Sequence, residues 1–198
     1  MDNFDIIDPL LEFDSPDDYY FVQILKRKKD SQNMTGNTFK VCTFNITSIE
    51  KFWRMREDII SICKSVNARA YINLNKKSFR KSSLYMLSEL AKNISNDSFR
   101  NDQLFDSASG SVNSPSASKV WIIDVDDINW YDKNIGELNE VLSKIEPLDI
   151  PKIIRTVPTK NGCHILTRPF NLKAFSDIKP EWKGIDIHKN NPTILYCN

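Results

Sequence analysis

The stretch Val120-Trp121-Ile122-Ile123-Asp124-Val125-Asp126-Asp127 carries an apolar run straight into a cluster of carboxylates. The run has the pattern of a strand buried on both faces. Asp124 and Asp126 stand two residues apart, so on a strand their side chains leave the same face. Two carboxylates side by side at the end of a buried strand repel each other and are poorly hydrated. A divalent cation between them relieves the repulsion, because hard cations take carboxylate oxygens. The alternative is a chance Asp-x-Asp whose acids are solvated or cap a helix. Asp127 fits that second description, as a residue facing away from the other two.

Two later segments add to this chemistry. Thr159-Lys160-Asn161-Gly162-Cys163-His164 and Gly184-Ile185-Asp186-Ile187-His188 contain the only two histidines of the chain. An imidazole beside carboxylates is a natural partner for phosphate or metal. Gly162 allows a close backbone approach or a positive φ. Lys160 offers a cation to a phosphate chain. Each residue also has a plain reading. His164 can be a structural histidine, Asp186 a solvated strand end, and Lys160 and Asn161 ordinary turn residues.

The pattern of the chain says what must position these groups. Residues 119–125 read as a strand, and a helix follows near 134–146. Strand 152–157, a turn from Pro158 to Gly162 and strand 163–167 come next. A short helical piece at 171–178, strand 184–188 and a last strand around Ile194, Leu195 and Tyr196 complete the second half. The arrangement is βαββαβ, which brings neighbouring strand ends to one rim of an antiparallel sheet. The first half reads as strand 19–27, a polar turn around Asn33 to Asn37, and a hairpin partner at 39–46. Thr47-x-x-Glu50 has capping-box spacing and opens a helix to about Val66. A short strand from Ala70 to Leu74 follows. A helix from Ser78 to Ile94 is then predicted to turn Leu84, Leu87, Leu90, Ala91 and Ile94 inward. Residues 95–118 are rich in Ser, Asn and Asp and read as a flexible loop or linker.

The three chemical segments resemble the signatures of the archaeo-eukaryotic primase superfamily, which includes the primase-polymerases. That family carries Asp-x-Asp at the end of an apolar strand, then a Ser-x-x-Gly-x-His-like strand, then an apolar residue followed by Asp. Asp124 and Asp126 match the first signature. Thr159, Gly162 and His164 match the second, with Thr in place of Ser. Ile185-Asp186 matches the third. The resemblance spans about residues 119–190. Composition and pattern divide an α+β chain into an acidic N-terminal arm (1–18), a basic N-terminal αβ module (19–94) and the linker (95–118), and the resemblance implies that 119–198 is a catalytic module similar to an RNA-recognition-motif fold. It implies a nucleotidyltransferase that synthesises or extends a nucleic-acid strand from nucleoside triphosphates by two-metal phosphoryl transfer. Two Mg²⁺ or Mn²⁺ ions would be held by Asp124, Asp126 and Asp186. His164 would contact the triphosphate, with Lys160, Thr159 and Gly162 beside it. His188 would lie next to the metal site or the template.

Charge adds a partner. Residues 1–18 hold seven acids and no base, residues 19–100 hold sixteen Lys or Arg against six Asp or Glu, and residues 101–198 hold eleven against thirteen. A basic half beside a carboxylate-bearing half suits a polyanion next to a metal. Arg69, Lys76, Lys77, Arg80 and Lys81 cluster at a strand-to-helix junction and are the expected contacts to a single-stranded template or primer-template. Arg80 and Lys81 fall in a helix first turn, where cations are locally unfavourable and a bound phosphate would be favoured. Tyr71 and Phe79 either stack bases or pack in the core. Lys26-Arg27-Lys28-Lys29 is a further phosphate contact or a solubilising tip. A replication protein is a further expected partner.

Other classes fall away. Cys42, Cys63, Cys163 and Cys197 are widely spread with no C-x-x-C pair, so a zinc module and a disulfide framework are not expected. No apolar run approaches 18 residues, so no membrane span is expected, and a reducing, cytoplasmic setting follows. The abundance of Asn, Lys, Ile and Ser hints at an AT-rich, viral or mobile-element genome. Two further readings stay open. One is a catalytically reduced, primase-like nucleic-acid-binding subunit, and the other a metal-dependent nuclease.

Overall fold

The computed structural model describes residues 1–28, 36, 38–98, 101, 103–115, 118–178, 182 and 185–198. Lys29, Asn33, Asn37 and Gly184 lie outside the described residues. The chain is α+β, with two antiparallel sheets.

The first sheet takes β1 (Asp18–Arg27), β2 (Thr38–Ile46), β3 (Arg69–Ser78) and β8 (Thr193–Cys197), in the order β2-β1-β3-β8. The second takes β4 (Trp121–Val125), β5 (Ile153–Pro158), β6 (Cys163–Thr167) and β7 (Ile185–His188), in the order β5-β6-β4-β7. Helices α6 (Ile128–Ser143) and α7 (Leu172–Ile178) fall between β4 and β5 and between β6 and β7. The last strand, β8, pairs with β3. Residues 193–197 therefore belong to the first sheet and are not paired with the strands of the 119–188 segment that precede them.

β4 explains its own apolar run. Ile123 and Val125 face a core shared with Leu138, Leu142 and Phe175 of the two helices. Ile122 faces the opposite way, into a larger core with Val157 and Leu166 of its own sheet and Val22, Ile72 and Ile194 of the first. A strand sealed on both sides reads as continuously hydrophobic.

The first half departs from its sequence reading in instructive places. Ser48, not Thr47, caps the helix, accepting from the Lys51 amide. That helix breaks at Met55 into α2 (Ile49–Arg54) and α3 (Arg56–Val66), which ends on Asn67 at φ 50°. β3 is ten residues long, twice the expected strand. Helix α4 (Phe79–Ser95) presents Ser82 inward, while Leu84, Leu87, Ala91 and Ile94 face solvent. The 95–118 segment contains helix α5 (Leu104–Ser111), whose Ala108 and Ser109 are buried. Its small polar residues look like linker, but they find buried partners. The Tyr19 hydroxyl pairs with both Ser82 Oγ and Ser109 Oγ at 2.9 Å.

The acidic N-terminal segment packs onto the first sheet. It forms α1 (Phe4–Ile7) and a 3₁₀ turn (Asp8–Leu10), with Phe4 and Ile7 in the core. Asn3 Nδ2 donates to the Ile194 and Pro158 carbonyls at 3.1 and 3.0 Å. Its acids meet the chain's own bases. Asp14 and Asp18 pair with Lys76. Asp17 accepts from the Ser78 hydroxyl and the Arg80 amide, which holds its carboxyl below the usual carboxylate range. Among the described residues no helix is long and apolar enough to cross a membrane.

Lys77 is fully buried, with its Nζ donating to Asn113 Oδ1 at 2.7 Å. Burial pushes its ammonium down from 10.5 to about 8. The unfolded chain keeps this proton up to 10.5, whereas the folded chain releases it near 8. The site therefore penalises folding below about pH 8, and the penalty fades as pH rises through that window. Relative to Lys77→Met, the native chain should gain on the order of 3 kcal/mol between pH 7 and pH 11. Urea unfolding of both proteins across that range checks it, and parallel curves would refute it.

Candidate active site

Register alone assembles the site. β4 is flanked by β6 and β7, and Asp124 is the partner of His164 on one side and of Asp186 on the other. Directly opposed residues on antiparallel strands share a face. His164, Asp124 and Asp186 thus form one cross-strand row, on the face turned toward the first sheet. Asp126 lies two residues further along that face. Ile122 pairs with His188, which places the second histidine in the next row. Three distant segments of sequence converge here because one central strand pairs with both others.

The row ends in a cleft of about 360 Å³ between the two sheets. From the second sheet it is lined by Asp124, Asp126, His164 and His188, and from the 158–162 turn by Thr159, Lys160 and Asn161. The first sheet contributes Arg27, Arg69 and Tyr71. Carboxylates therefore face guanidinium groups across a gap of small-ligand size. Arg27 Nη1 donates to the Tyr71 hydroxyl at 3.4 Å. Asp186 is exposed beside this cleft, next to Asp124 across the ladder.

His164 is oriented from both nitrogens. Its Nδ1 lies 2.9 Å from Thr193 Oγ1, and its Nε2 lies 3.4 Å from Asp124 Oδ1. Thr193 comes from β8 of the first sheet, so the imidazole bridges the sheets. No local signal in the sequence marks Thr193, since its contact depends on where a strand 29 residues later in the chain is placed. Tyr71 and Arg27 carried weaker signals, an aromatic and a basic cluster each with an equally plain reading.

Gly162 has a steric reason. A Cβ on it would fall 1.9 Å from the Val125 carbonyl oxygen and 2.8 Å from the Asp126 carbonyl carbon. The turn therefore presses its backbone onto the Asp-x-Asp segment. Close approach, not a positive φ, is the use made of this glycine. The turn is closed by the Thr159 amide donating to the Gly162 carbonyl at 2.9 Å, and by the Gly162 amide donating to Thr159 Oγ1 at 3.2 Å. Asp127 caps α6 through the Asn129 amide at 2.9 Å. On the far side of the sheet, burial and then the charges of Asp124 and Asp132 push the Cys163 thiol up to about 11.

The expected nucleic-acid contacts divide. Arg69 lines the cleft. Arg80 and Lys81 are exposed in the first turn of α4, away from the cleft lining, and the anion at that helix start is Asp17. Lys76 and Lys77 need correction. Both are buried, one paired with Asp14 and Asp18 and the other bonded to Asn113, so neither reaches a polyanion on the surface. A ten-residue β3 carries them under neighbouring elements, where a shorter strand would have left them in a loop.

The three carboxylates offer the hard oxygen donors that a divalent ion takes. Among the described residues no three His, Cys, Asp or Glu side chains are grouped as a metal would group them. Asp124 and Asp186 are nonetheless opposed as like charges, an arrangement that destabilises a sheet by up to about 1 kcal/mol. Removing one charge should stabilise the cation-free protein. Asp186→Asn is expected to raise its unfolding free energy by about 0.5 kcal/mol without divalent ions. Mn²⁺ is expected to raise the melting temperature of the native chain, and Asp186→Asn should lose that rise. Thermal scans with and without Mn²⁺ check both, and an unchanged Mn²⁺ response would count against the site. Gly162→Ala should cost about 1–3 kcal/mol by overpacking against backbone. Gly110→Ala, where a Cβ meets nothing within 4 Å, should cost nothing in the same denaturation assay.

Comparison with protein-family models, curated proteins and solved structures gives no match.

Proposed function

We propose that this chain is a metal-dependent nucleotidyltransferase of primase-polymerase type, which joins nucleoside triphosphates onto a nucleic-acid strand. The observation that carries this reading is the single row His164–Asp124–Asp186, with Asp126 on the same face, opening into a cleft whose far wall is cationic. The strand order β5-β6-β4-β7, with helices in the two crossovers, supports an RNA-recognition-motif-like catalytic module.

Asp124, Asp126 and Asp186 would hold the divalent ions. Bound there, Mg²⁺ or Mn²⁺ supplies charge stabilisation for the attacking and leaving oxygens of an in-line displacement. The remaining work belongs to the chain's own groups. Lys160, Arg27 and Arg69 offset the charge of a triphosphate lying along the cleft. His164, fixed by Thr193, points its Nε2 at the carboxylate row and can bond a phosphate oxygen from there. Thr159 and Asn161 offer polar groups at the turn. The tight Gly162 turn presses its backbone against the Asp-x-Asp segment, and Lys160 of that turn lines the same cleft as Asp124 and Asp126. Tyr71 packs in the core of the first sheet, 7% exposed, and lines the cleft beside Arg27, whose guanidinium donates to its hydroxyl. The cytoplasmic setting and a replication-protein partner belong to the same proposal.

The test uses a labelled primer-template, all nucleoside triphosphates and Mg²⁺ or Mn²⁺. The native chain should lengthen the strand. Asp124→Asn and Asp186→Asn should each lose about 100-fold or more of the rate, as expected when a group stabilising transition-state charge is removed. Full synthesis by an Asp124→Ala, Asp126→Ala double variant would overturn the proposal. Shortened strands would replace it with a nuclease, and salt-sensitive binding without turnover with a binding subunit.

A further inference from the structure

Helix α4 carries an apolar stripe on the wrong side. Leu84, Leu87 and Ile94 are 59%, 62% and 57% exposed, and Ala91 is exposed between them. Of the helix's other residues Ser82 is buried, and Tyr85, Met86, Glu89, Leu90 and Asn93 are half-buried against the protein. Solvent thus meets a row spaced three, four and three residues apart, the spacing of the seam residues in a two-helix coiled coil. Contiguous exposed apolar rows of this kind mark association surfaces.

We propose that the chain self-associates through α4, two copies packing antiparallel about a two-fold axis near residue 89. In that register Leu84 lies opposite Ile94 and Leu87 opposite Ala91, so a large side chain meets a small one at the centre. The contact is the same patch on both copies, as a two-fold interface requires. The flanking positions are Ser83, Ser88, Leu90 and Ser95, which bring no like charges together. Lys92 is bonded to Glu89 of its own helix at 2.5 Å.

Charge selects the antiparallel arrangement. Arg80 and Lys81 occupy the first turn of α4, where the helix dipole opposes them. Antiparallel packing sets them beside Ser95, Asn96 and Asp97 of the other copy. The carbonyl end of a helix and a carboxylate both favour cations there. Parallel packing would instead bring four cations together at one end. The patch is short, since 17 residues of helix span about 25 Å. The dimer is accordingly weak and concentration-dependent. No cleft-lining residue lies on α4, so association leaves the carboxylate site open.

Sedimentation velocity from micromolar to near-millimolar protein tests this. The mass should rise from one chain to two. Leu87→Glu should raise the dissociation constant at least tenfold with an unchanged circular dichroism spectrum. Under mild oxidation with oxidised glutathione, Ser88→Cys, close to the axis, should link to itself. Lys81→Cys should not, because its two copies lie roughly 24 Å apart, far beyond disulfide reach. A single-chain mass at every concentration would overturn the proposal. So would a dimer that survives Leu87→Glu, or Lys81→Cys linking to itself faster than Ser88→Cys.

Discussion

Like charge opposes like charge across the β4–β7 pair, and the structure is organised to keep it so. Asp124 cannot leave Asp186 without a slip of register. A slip of one residue would turn Ile122 out of one core and Ile123 and Val125 out of the other. The two apolar cores therefore lock the carboxylates in place. Each core is worth far more than the repulsion it enforces, since fully burying one such side chain contributes about 1.5–3 kcal/mol. The electrostatic conflict is local and small, while the packing that imposes it is distributed and large. Such a conflict, fixed by packing, is one that a divalent cation would relieve.

Packing fixes the neighbours of the carboxylates as well. Gly162 brings a turn onto β4 with no room for a side chain. Thr193 reaches His164 from the other sheet. The imidazole and the acids are thus held by different parts of the chain, and their alignment reports whether the two sheets are docked. The cationic wall of Arg27 and Arg69 depends on that docking too.

Much of the site was legible because its signals are short-range. An apolar run of strand length marked β4, alternation in Ile-Asp-Ile-His marked β7, and the Pro158 to Gly162 turn marked the hairpin between β5 and β6. Two-residue spacing put Asp124 and Asp126 on one face. Only the pairing was hidden, and a βαββαβ order leaves few ways to pair. The first half was harder for a physical reason. The heptad-like stripe on α4 looks like a core face, and periodicity does not say which side of a helix the protein lies on. The Ser-rich 95–118 segment has linker composition, yet Ser109 completes a buried hydroxyl pair with Tyr19. Lys76 and Lys77 look like surface charge until β3 extends past them. In each case a tertiary partner, absent from the local pattern, decided the outcome.

The most direct test is a crystal soaked with Mn²⁺ and a non-hydrolysable nucleoside triphosphate, read by anomalous scattering. The account predicts Mn²⁺ peaks bounded by the carboxylates of Asp124, Asp126 and Asp186, with the phosphates on the side of His164 and Lys160. Peaks elsewhere, or nucleotide bound with those three carboxylates contacting no ion, would contradict it.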